Sequence, residues 1–236
     1  MRLSFSVSTW AAWAPGLTSN EAWLAWARDP KVPVGKDTPP LTEVPAMQRR
    51  RVEKMGRLAF QVAQWAQGES KGSPLIFASR HGDVGRSKEL LESLAKNEPL
   101  SPTSFALSVH NAIGAQYSII RQDRAPVSAI SNGRYTLEAA VLEAVTQLAE
   151  TDEVLLVAYE ASVPEFYEKW LDEPQSDFAF AWKLKKGDHF SLSLRTRGEG
   201  RGEGQSLPNT LEVFKFFLNE SVKEFTTDTW SWSRPS

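Results

Sequence analysis

Apolar and polar residues alternate along Leu3-Ser-Phe-Ser-Val7, the two-residue period of a half-buried strand. A Trp/Ala-rich stretch follows from Thr9 to Arg28, in which Asn20 is placed to cap a short helix carrying Trp23, Leu24 and Trp26. Residues 29–45 hold five prolines and a glycine and predict an extended loop. From Arg50 to Gln67, Val52, Met55, Leu58, Ala59, Val62, Ala63 and Trp65 recur near helical spacing. Arg49, Arg50 and Arg51 at the start of that helix have the wrong sign for its dipole, so acidic partners are expected for them elsewhere.

Pro74–Ser79 is a continuous apolar run, as in a strand buried on both faces, and Glu153–Tyr159 is a second. Arg80-His81-Gly82-Asp83 follows the first, ahead of a helix from about Ser87 to Lys96. Ser101 to Ile120 reads as helical after a proline turn, and Tyr135 to Leu148 as a strong helix after Gly133. That helix is apolar nearly all round, so it should be buried on nearly all sides. Ala179–Leu184 and His189–Arg195 flank Lys186-Gly187-Asp188, a hairpin signal. Residues 195–204 alternate glycine with charge, placing a flexible loop near 195–208. Leu211 to Phe225 predicts a closing amphipathic helix, and TTDTWSWSR a terminal strand. Buried strands between helices require a sheet covered on both faces, so the fold class is α/β in one domain over residues 1–236.

Composition narrows the function. With 27 Lys+Arg against 29 Asp+Glu the chain lacks the basic excess that nucleic acid or an anionic membrane requires. The absence of cysteine removes disulfides, thiolate metal sites and a cysteine nucleophile, and fits a cytoplasmic location. No apolar run reaches the roughly 18–20 residues of a membrane span, and the N-terminus reads poorly as a signal peptide. No His/Asp/Glu spacing indicates a metal, and Gly198–Gly204 lacks the Lys-Ser/Thr of a phosphate loop. No cofactor is implied. His81, beside Arg80 and Asp83, fits a loop salt-bridge cluster better than an acid/base site, and His189 reads as structural. The nine tryptophans fit core or interface better than a ligand box.

Ser101-Pro-Thr-Ser-Phe-Ala-Leu-Ser-Val-His-Asn111, continuing Ala-Ile-Gly-Ala-Gln-Tyr-Ser-Ile119, resembles the segment of elongating β-ketoacyl synthases that approaches the dimer partner and the acyl tunnel. The Ser-Pro pair, the Asn nine residues beyond the Pro and a glycine-containing helical turn match without a gap. Arg49-Arg50 before an apolar helix is similar to an early synthase helix, Ser128–Gly133 to the nucleophile elbow, and Glu153–Glu160 to the strand after it. With Ser79–Asp83, the set is most similar to short synthase-like proteins of aryl polyene biosynthesis, in which they serve as chain-length-factor-like partners of a full synthase.

The resemblance implies a thiolase-like fold: a layered mixed sheet with a buried central helix, about one half of a full ketosynthase. It places Ile130 at the lost nucleophile position, three residues before Gly133, with Pro126 matching the proline ahead of the elbow. It assigns Phe105, His110, Asn111 and Ile113 to the tunnel and interface. Condensation needs a thiolate and histidines from the second half; this chain has no cysteine, and His81, His110 and His189 lie outside the glycine-rich histidine motifs. The resemblance therefore implies no catalytic residue, a full-length β-ketoacyl synthase as heterodimer partner, and contact with acyl carrier protein through that complex. Two other readings stand beside it: an acyl-thioester enzyme using Ser131 or Ser128, and a self-associating scaffold. His110 reads equally as tunnel lining and as a helix histidine bonded to a backbone carbonyl.

Overall fold

The computed structural model describes residues 2–195 and 206–235. In chain order the elements are β1 (Arg2–Trp13), α1 (Asn20–Trp26), α2 (Ala46–Arg49), α3 (Lys54–Gln67), β2 (Leu75–Ala78), α4 (Val84–Ala95), α5 (Pro102–Ala106), α6 (Ala112–Arg121) and β3 (Val127–Ile130). They continue with α7 (Thr136–Gln147), β4 (Glu153–Glu160), a 3-10 turn (Glu165–Trp170), β5 (Phe178–Leu194), α8 (Asn209–Leu218), β6 (Glu224–Thr226) and β7 (Trp230–Ser233).

The strands form one mixed sheet in the order β3-β2-β4-β5-β7-β6, with β1 also on β5. β2 is parallel to β3 and β4, and the other pairs are antiparallel. The first half of β5 pairs with β4, its end pairs with β7, and β1 runs along its other edge. Period-two alternation sends neighbouring residues to opposite faces. Ile76, Leu156, Phe180 and Trp182 enter a core with α1, α7 and α8, while Leu75, Phe77, Leu155 and Val157 enter a second with α3 and α6. Both faces are covered, as the apolar strands predict.

Only Thr146 of α7 is exposed, and Ala139, Leu142 and Val145 form a half-buried flank. The rest packs mainly against the sheet strands β2 and β4, and the C-terminal elements reach one buried side chain on it. Asn209 Nδ2 on α8 and Trp232 Nε1 on β7 donate to the buried Glu138 carboxylate at 3.0 and 3.3 Å. Burial, opposed by these hydrogen bonds, pushes the Glu138 carboxyl up to about 7.

Several local expectations are corrected. The hairpin at 186–188 does not exist, because both flanking runs belong to β5 and pair with the same partner, β1. The register steps between Phe5↔Phe190 and Ser6↔Lys185, so the intervening residues form a bulge. Gly187 is needed there because a Cβ would stand 2.0 Å from Ser6 Oγ. Ser19, not Asn20, caps α1, accepting from Ala22 N. The expected 50–67 helix begins only at Lys54, and Arg57 on it donates to the carbonyls of Val52, Arg49 and Pro39. Arg49, Arg50 and Arg51 have no ion pair among the described residues, and Arg49 donates to the Leu41 carbonyl instead. The 101–120 segment splits into α5 and α6, with the Ser108 hydroxyl taking the Phe105 carbonyl at the break. The last helix stops at Leu218 because Asn219 Oδ1 accepts from Ser221 N, a local turn that competes with the helix; Phe225 lies in β6. Most of the expected 195–208 loop lies outside the described residues.

Candidate functional site

The parallel strands β3, β2 and β4 deliver Ile130, Ala78 and Glu160 to one end of the sheet. Residues following strand ends of this kind are where α/β sheets build sites. The loop after β2 turns back at once. Gly82 adopts φ +62°, and a Cβ there would stand 2.7 Å from His110 Nδ1, so the position needs glycine for both conformation and space. His110 Nε2 donates to the Ile130 carbonyl at 3.2 Å, as does Ser79 N, so the imidazole holds the strand end.

Glu160 is the half-buried carboxyl of the site. It accepts from Arg80 N and from Ser79 Oγ at 3.3 Å, and Ser79 Oγ in turn accepts from Gly82 N at 2.9 Å. Burial outweighs these donors and pushes the carboxyl up to about 8. The Arg80 guanidinium turns outward onto Glu173 (2.7 Å) and Asp172 (2.6 Å). Desolvation, then the Arg80 charge, lowers the pKa of His81. The hollow between these groups measures about 30 Å³, room for little more than a water molecule.

β3 leads through Ser131 and a turn at Gly133 (φ +56°) into α7, a strand–turn–helix elbow. Ser131 Oγ donates to the Arg80 carbonyl at 2.9 Å rather than to a base, and Ser128 Oγ accepts only a long contact from Gln147. Neither serine is paired with a histidine, the arrangement an activated hydroxyl needs. Among the described residues no group of three His, Asp or Glu could hold a metal ion, and no helix is long and apolar enough to cross a membrane.

Of the residues singled out in the sequence, the structure brings His110 and Ile130 together. Ile113 is buried in the core of α3 and α6. Asn111 is exposed at the start of α6, and Phe105 on α5 is 65% exposed. His189 lies in the β5 bulge. Glu160, Ser79 and the Asp172–Glu173 clamp were not expected as a unit. Their one sequence signal is a carboxylate at the end of an apolar strand.

Beside the site rises an apolar arm. α4 buries none of its residues, and Leu91, Leu94, Phe105 and Val109 are all more than half exposed. Arg86 ties the arm's base to Asp83 and Glu53. β3, at the end of the sheet order, pairs only with β2 among the described residues and carries no charged residue.

Comparison with curated protein sequences gives no match. Among solved structures, a chain from the complex of the ketosynthase ApeO with its chain length factor ApeC, from Xenorhabdus doucetiae, is 31% identical with a TM-score of 0.86, over 98% of this chain and 100% of that one. The ishigamide ketosynthase/chain length factor aligns at 12% identity and TM-score 0.60, over 94% of this chain and 72% of that one. A ketosynthase from module 6 of the bacillaene synthase of Bacillus subtilis 168 aligns at 10% identity and TM-score 0.59, over 84% of this chain but 42% of that one. The last two likenesses carry the fold, a thiolase-like mixed sheet of about half a ketosynthase. The family profile of the β-ketoacyl synthase N-terminal domain matches residues 23–233, and the chain belongs to that family.

Proposed function

We propose that the chain is a non-catalytic, chain-length-factor-like subunit that pairs with a full-length β-ketoacyl synthase and shapes its acyl tunnel in cytoplasmic aryl polyene biosynthesis, meeting acyl carrier protein through that complex. The observation that carries the reading is the unpartnered surface beside the elbow. An uncharged edge strand presents free backbone donors and acceptors to a second strand, and Leu91, Leu94, Phe105 and Val109 stand exposed on α4, α5 and the turn after α5. The similarity to a chain of the ApeO–ApeC complex supports the same reading. So does the composition: the sequence holds no cysteine to act as the condensing nucleophile.

In the pair, Phe105 and Asn111 face the synthase. His110 and Ile113 back them from the same segment, His110 by holding the Ile130 strand end. The test is co-expression with a ketosynthase that retains its cysteine and two histidines. A stable complex with condensing activity that neither chain's lone subunit shows is the expected result. Incubating the isolated chain with an acyl thioester should leave its intact mass unchanged. A covalent adduct would instead support the serine-nucleophile reading, and a stable homodimer indifferent to any ketosynthase the scaffold reading.

A further inference from the structure

A second concavity lies away from the strand ends, between β1 and the C-terminal end of α8. It is a groove open to solvent with a volume of about 500 Å³, within the 300–1,000 Å³ range of small-molecule sites. Its floor is aromatic: Trp10, Phe190 and Phe217, with Phe217 centred 6.1 Å from Trp10 and 5.4 Å from Phe190. These rings rest on Trp182 and Phe214 in the core beneath, at 4.9 and 5.8 Å, so the floor is held in place rather than free to collapse.

The rim has a different chemistry. His189, Lys223 and Arg234 line it against a single carboxylate, Glu220. Arg234 is fixed: its guanidinium lies 4.6 Å from the Phe190 ring centre and donates to the carbonyls of Phe216 and Phe217 at 2.9 and 2.6 Å, capping α8. Lys223 makes no ion pair among the described residues, so its ammonium remains available at the mouth.

An apolar floor alone would accept any greasy surface. Placing fixed and free cations at one margin selects a guest with a hydrocarbon body and an anionic end, since a cationic amphiphile is repelled and a neutral one leaves the rim unused. We infer that this groove binds an amphiphilic carboxylate, its chain lying on Trp10, Phe190 and Phe217 and its head meeting Lys223 and Arg234. The site shares no lining residue with the strand-end hollow or the apolar arm, so it stands independently of the pairing with a synthase.

Titration calorimetry on the full chain tests it, using decanoate below its micelle concentration as the probe. Saturable one-site binding is expected. It should weaken roughly tenfold or more when the head is neutralised as methyl decanoate, and similarly in Lys223→Glu, as loss of one charge-assisted contact implies. Lys71→Glu, an exposed charge reversal outside the groove, should bind as the parent does. Thermal midpoints of both variants equal to the parent's exclude unfolding as the cause. No saturable binding of decanoate, or methyl decanoate or Lys223→Glu binding undiminished, overturns the inference. An oligoglutamate peptide binding more tightly than decanoate overturns it too, in favour of an acidic polypeptide.

Discussion

Phe105→Ala probes the proposed pairing most directly. Phe105 sits on a helix of five residues, is 65% exposed, and belongs to neither core. Truncation should therefore leave the isolated chain nearly as stable as before, well short of the roughly 3–5 kcal/mol that a core Phe→Ala costs. An aromatic side chain of the ~200 Å² class with this exposure leaves on the order of 130 Å² for a partner to cover, worth about 3 kcal/mol at ~25 cal/mol/Å². Full coverage by the synthase thus predicts a complex weakened by about two orders of magnitude. If the ring closes the acyl tunnel, removing it relaxes discrimination between chain lengths by roughly 1–3 kcal/mol, and longer products accumulate. Affinity by biolayer interferometry, the chain's own thermal midpoint, and product lengths from the reconstituted pair separate these effects. An unchanged midpoint with unchanged affinity and unchanged products would falsify the role given to Phe105.

Three further outcomes follow from the described geometry. Glu138 and Glu160, raised to about 7 and about 8 from 4.5, bind protons more tightly folded than unfolded. Stability should therefore fall as pH rises from 5 to 8, by several kcal/mol at about 1.4 kcal/mol per pKa unit; the lowered pKa of His81 opposes this only below its unfolded value. Urea denaturation at the two pH values checks the sign, and greater stability at pH 8 would refute it. Gly187→Ala drives a methyl into Ser6 and should cost about 1–3 kcal/mol, with Ser6→Gly restoring most of the loss; an unchanged urea midpoint in the single variant would mean the bulge is not as described. Ile130→Cys should produce no carbon–carbon bond formation by the isolated chain, since a thiol alone supplies no histidine to stabilise the enolate; turnover of malonyl thioester into a condensed product would contradict this.

The runs Leu75–Ala78 and Glu153–Glu160 were legible because burial on both faces leaves a continuous apolar stretch, and α7 because so little of its surface is polar. The 186–188 segment misled because a turn and a bulge both ask for glycine between alternating runs. What separates them is a partner strand long enough to pair on both sides, and that strand lies at the other end of the sequence. The break between α5 and α6 turns on one serine hydroxyl, a competition too local for periodicity to register. Within the site, Ile130 could be named from the elbow resemblance and His110 from that of the Ser101–Asn111 segment. Glu160 and Glu138 could not, because an acidic residue at a strand end or on a helix reads as solvated until the surrounding chain closes over it.

β5 is the strand on which the sheet depends, taking β4 and then β7 on one edge and β1 along the whole of the other. Its most extensive partner, β1, lies far ahead of it in the sequence, with α1 to α7 between the two. Until β5 is available, β1 has its backbone unpaired and Phe5 and Trp13 uncovered. Pairing between segments so far apart in sequence raises contact order, which slows folding and prolongs the exposure of aggregation-prone edges. Both cores draw residues from β1 and β5, so neither can close before those two strands have met.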